Sequence, residues 1–140
     1  MSTPARYRPR PEIWLLAAAA VLLLAQAVFH LLAYARLDAG LVELASLPMQ
    51  LALPDFNVLR GAWVLYAVHL LIAALLSAAC AVSPSRFGRG LRVALALWMS
   101  LDASVLLYFV GLFLGSILMA LAALLLIIAA LWPMTGNDRA

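Results

Sequence analysis

Residues 93–132 carry a single charged side chain, Asp102, in a run that is otherwise apolar almost throughout. As one straight helix this run would reach about 60 Å, twice the roughly 30 Å hydrocarbon core of a bilayer. It therefore has to fold back. The segment GLFLG, residues 111–115, is the natural place, which gives spans of about 91–110 and 114–132. Gly111 and Gly115 also make a G-x-x-x-G, the spacing that lets membrane helices pack closely. The length argument favours the turn.

Two further runs are long enough to cross a bilayer, about 13–36 and 61–82. The chain is 68% hydrophobic and 11% charged, where a soluble domain averages roughly 45–50% and about 25%. The expected fold is all-α: a polytopic four-transmembrane-helix bundle over residues 13–132. It has a basic tail at 1–12 and a short polar tail at 133–140. Ala25-Gln26-Ala27 resembles a signal-peptidase site, but the apolar run continues too far past it for a secretory leader.

The arginines orient the bundle. Arg6, Arg8, Arg10, Arg86, Arg89, Arg92 and Arg139 fall on one side, and Arg36 and Arg60 on the other. By the positive-inside rule both termini are cytoplasmic. All nine basic residues are arginine, which suggests a GC-rich bacterial genome and the inner (plasma) membrane as the location of this multi-pass protein. The connection 37–60 then faces outward. Its Leu41, Val42, Leu44 and Leu47 are apolar, and Pro48 and Pro54 interrupt any long helix. A short interfacial helix followed by an irregular return is expected there. Arg36, Asp38, Glu43, Asp55 and Arg60 would form a contact surface on this loop, with Asp55 capping the next helix.

Several function classes have no support. The basic residues lie in short blocks beside apolar runs, not on one water-exposed face, which argues against nucleic-acid binding. Cys80 is the single cysteine, so neither an intrachain disulfide nor a Cys/His metal spacing is available. There is no G-x-S-x-G, H-E-x-x-H or P-loop and no pair of carboxylates, so an enzyme is not expected.

What remains is a small set of ionisable groups inside the spans: His30, His69 and Asp102. Such residues rarely face lipid, because an aspartate at a helix centre costs about 2.5–3.5 kcal/mol to insert. Asp102 lies about 15 Å from the level of Arg92, and His69 about 14 Å from the level of Arg60, counted from opposite sides. Both therefore reach the midplane. His30 is about one helical turn shallower and shares a face with Gln26 and Tyr34. On the second span Ala62, Tyr66, His69, Ala73, Ser77 and Cys80 form a small, polar stripe suited to a helix–helix seam. Asp102 shares its face with Trp98.

Three functions fit this pattern, in this order. The first is an accessory, assembly or protective partner of another membrane component, working through the outward loop, with a second membrane protein or another copy of the chain as its partner. The second is a proton- or ion-coupled transport or relay element, with Asp102 as carrier, His69 as its partner and Tyr66 and His30 nearby. The third is bis-histidine haem ligation by His30 and His69 for electron transfer. No metal site and no other cofactor is expected.

Overall fold

The structure, a computed structural model, describes residues 10–46 and 56–132 and, for residues 84–86, the backbone alone. It is all-helical. The elements are α1 (Pro11–Ala45), α2 (Phe56–Val82), α3 (Pro84–Phe109) and α4 (Leu114–Leu131). All four contain a stretch long and apolar enough to cross a membrane. They pack in a ring: α1 against α2 and α4, and α3 against α4 and, more sparsely, α2.

The seams follow one rule. Buried positions recur every three or four residues, and most are small. On α1 they include Leu16, Ala19, Ala20, Leu23 and Ala27, and on α4 Met119, Ala122, Ala123, Leu126, Ala129 and Ala130. The α2 set is Ala67, Leu70, Ala73, Ala74, Ser77, Cys80 and Ala81. Lipid solvates a leucine as well as a protein core does, so association in hydrocarbon depends on close backbone approach. Alanine permits that approach. Larger side chains such as Leu32, Leu75, Leu97 and Leu131 point outward.

Three boundaries differ from the sequence expectation, the simplest being that α3 begins at Pro84, earlier than about 91. The first helix does not end near Arg36; it continues without a break to Ala45. In place of a separate interfacial helix over 41–47, α1 itself is prolonged by about 14 Å. Leu41 is buried, and Asp38 is tied to Arg60 of α2, so tertiary contacts hold this last stretch. The second helix begins at Phe56, earlier than 61. Asp55, expected to cap it, lies outside the described residues.

The reversal between α3 and α4 occupies 110–113. Gly111 has φ +86°, a conformation that disfavours any side chain. Ser116 closes the turn: its hydroxyl donates toward the carbonyls of Gly111 and Phe113, at 2.9 Å each, and accepts from the Phe113 amide at 3.0 Å. A Cβ on Gly115 would lie 2.5 Å from the Phe113 ring, so this glycine makes room for that ring within the turn.

Gly111→Ala should lower stability by about 1–2 kcal/mol, the cost of a left-handed backbone for an ordinary residue. Gly40→Ala should raise it by up to about 1 kcal/mol, because Gly40 is helical and nothing lies within 4 Å of an added Cβ. Unfolding in mixed detergent micelles measures both.

Candidate functional site

His69 stands at the centre of α2, and Asp102 projects from α3 opposite it. Imidazole Nε2 and carboxylate Oδ2 are 2.5 Å apart. Both side chains are partly accessible, at 27% and 20%, and the pair sits in the α2–α3 seam, which is packed more sparsely than the other three. It occupies a seam at the side of the bundle, not its centre.

Aromatic rings enclose the pair. The Trp98 ring meets His69 edge-on, with centroids 4.5 Å apart, and the Tyr66 ring stacks on its other flank at 5.9 Å. Tyr66 in turn touches His30 at 5.0 Å. The Tyr66 hydroxyl is buried and has no hydrogen-bond partner. Tyr66 therefore joins the two histidines by packing, not by a hydrogen-bonded chain.

His30 is held from two sides. Its Nδ1 is 3.2 Å from the Gln26 carbonyl, which can only accept, so Nδ1 is the donor in this contact. The Trp63 indole lies tilted against the ring at 4.7 Å and donates to the His30 carbonyl at 2.7 Å. A cavity of about 290 Å³ between α1 and α4 adjoins His30 and is lined also by Gln26, Phe29, Phe113 and Leu118.

The Tyr66 ring fills the space between His30 and His69 that a porphyrin ligated by both would need, and His69 Nε2 is already committed to Asp102. The two histidines do not fit bis-histidine haem.

On the extended end of the bundle Arg60 Nε donates to Asp38 Oδ1 at 2.6 Å and reaches Asn57 at 3.3 Å. Arg36 and Glu43 are exposed and are not drawn into this pair.

Three polar features had no clear sequence signal. Gln26 is buried. With its amide turned to suit its neighbours it donates to the Gly115 carbonyl at 3.3 Å and accepts from the Met119 amide at 3.2 Å, joining α1 to the first turn of α4. Glu12 and Arg92 are buried as well, although both read as end-of-helix surface charges. By contrast, Ser77, Ser100 and Ser104 are satisfied by carbonyls of their own helices.

The chemistry open to the pair follows from charge. An imidazolium beside a carboxylate and a neutral imidazole beside a carboxylic acid both have net charge zero. Gain or loss of one proton leaves a net charge, which hydrocarbon penalises. Among the described residues no cluster of three or more His, Cys, Asp or Glu side chains could hold a metal ion.

Comparisons with protein-family models, curated proteins and solved structures find no match for the chain. Geometry alone carries the class: a four-helix, multi-pass membrane protein with an acid–imidazole pair inside its helical region.

Tyr66→Phe should raise stability by about 1 kcal/mol, since it removes a buried hydroxyl with no partner. The same detergent unfolding assay measures it.

Proposed function

We propose that the protein is a proton-handling membrane element, acting in proton-coupled transport or relay, with the His69–Asp102 pair as its proton-binding centre. The observation that carries this is the 2.5 Å contact between the only acid and the only histidine at the helix centres of α2 and α3. Proton uptake changes the net charge of the pair, and the charged form requires access to water. The sparse α2–α3 seam is the part of the bundle best able to supply that access. Protonation and separation of the two helices are thereby coupled, since whatever favours one favours the other. Seven arginines against two support cytoplasmic termini, and the arginine-only basic content supports a bacterial inner membrane.

Proteoliposomes loaded with a pH-sensitive dye test this reading. The wild type should speed collapse of an imposed pH gradient. Asp102→Asn, which keeps shape and removes the charge, should reduce the rate to that of protein-free vesicles while helicity and elution volume stay unchanged. A variant as active as the wild type would remove the proposal.

A second reading, an accessory partner of another membrane component, is supported by the prolonged α1. Val42 and Leu44 are exposed on its last turns, beyond Arg36. Deletion of 41–53 should then abolish co-purification with any partner captured by the wild type, and survival of every partner would end this reading.

A further inference from the structure

The His69–Asp102 pair opens to the side of the bundle. Its side chains are partly accessible, and their chain neighbours Val68 and Leu101 are exposed at 43% and 63%. Counted along the helices, the pair lies at the level of the bilayer midplane. A solute that reaches it from the side therefore comes out of hydrocarbon.

Charge selects that solute. Asp102 is the one carboxylate within 93–132, and with one proton shared with His69 the pair has net charge zero. A monovalent cation that settles against the carboxylate keeps that zero only if the proton leaves. The exchange balances: the imidazolium gives its Nε2 proton to water, His69 becomes a neutral imidazole, and the cation replaces it as counter-charge to Asp102. An anion would instead require a second proton on the pair, and a divalent cation would leave excess positive charge in hydrocarbon.

The surroundings select among monovalent cations. Hard metal ions take several oxygen ligands at once. Here the neighbours are rings: Trp98 at 4.5 Å and Tyr66 at 5.9 Å from His69, with His30 behind Tyr66 at 5.0 Å. The Tyr66 hydroxyl, buried without a partner, lies within electrostatic range of Asp102 and is a single oxygen. Aromatic faces attract organic cations, and the attraction grows when both sides are desolvated. Few other charges interfere. From α1 the nearest titratable group is His30, and α4 has none. Arg60 and Cys80 of α2, and Arg92 and Tyr108 of α3, are each more than one helical turn from the pair.

We propose that the α2–α3 seam binds a lipophilic monovalent organic cation, which Asp102 takes up in exchange for the proton it shares with His69. This rests on the proton-binding role of the pair and supplies the substrate class of that role, one cation against one proton.

Tetraphenylphosphonium, titrated into the purified full chain in detergent, is the probe. Wild type should bind it saturably and release a proton to a weakly buffered solution. On the acidic side its apparent affinity should fall about tenfold per pH unit, the slope of a one-proton exchange. Asp102→Asn should bind at least about tenfold more weakly and release no proton, whereas Asp102→Glu should keep the pH dependence. Trp98→Ala should weaken binding roughly 3- to 30-fold, the range of one cation–π contact. Tetraphenylborate, of the same shape and opposite charge, should not compete. The assignment is overturned if wild type shows no saturable binding, if binding ignores pH, or if sodium ion or tetraphenylborate displaces the probe. Should the probe fail to bind while Asp102-dependent collapse of the pH gradient persists in proteoliposomes, the organic-cation site alone is lost. Should it bind with proton release while wild type collapses no gradient, the site stands and the transport reading falls. The wild-type pH dependence and proton release decide the matter even if Asp102→Asn fails to fold.

Discussion

Hydrocarbon offers no hydrogen-bond partner, and this constraint organises the molecule. A backbone group left open in lipid costs several kcal/mol, so each crossing segment closes its bonds within a helix. The side chains obey the same rule. Ser77, Ser100 and Ser104 return their hydroxyls to carbonyls one turn back, Trp63 donates to a carbonyl of α1, and the Gln26 amide faces the first turn of α4. Each of these groups is spent on structure. The His69–Asp102 pair is the polar contact between helices whose composition can change, because both members can exchange a proton.

Packing gives that pair its setting. Alanine-rich seams bring α1 close to α2 and α4, and α4 close to α3. The α2–α3 seam instead accommodates an imidazole, a carboxylate, a phenol and an indole, and bulky polar side chains keep two backbones apart. Sparse packing and a titratable pair therefore occur together for one steric reason. On the proposed reading this is useful, since a proton-binding centre needs intermittent contact with water and a tightly packed alanine seam would deny it.

Much of the site was legible because depth along a helix is a matter of counting. Nine residues from Arg60 and ten from Arg92 set His69 and Asp102 at one level, and a helical face assigned Tyr66 and Trp98 to their neighbourhoods. The extent of α1 was not legible: LDAGLVELA reads as a polar, glycine-containing connection, and only the Asp38–Arg60 bond and the burial of Leu41 show why it stays helical. Gln26 appeared as part of a polar face, but its partners are backbone atoms of α4, which no side-chain pattern announces. Arg92 was counted as one of several basic residues bordering the membrane. Its burial depends on how α3 is rotated against its neighbours, which the local sequence does not announce.

By itself the sequence determined the number of crossing segments, the position of the last reversal and the small set of side chains able to ionise within them. These follow from bilayer thickness, helix rise and the insertion cost of charge, all of which act on one segment at a time. The tertiary structure decided which polar groups meet. That choice depends on helix rotation and on which small residues allow close approach, so it joined His69 to Asp102, placed the Tyr66 ring between the histidines and left Arg92 buried without a counter-charge.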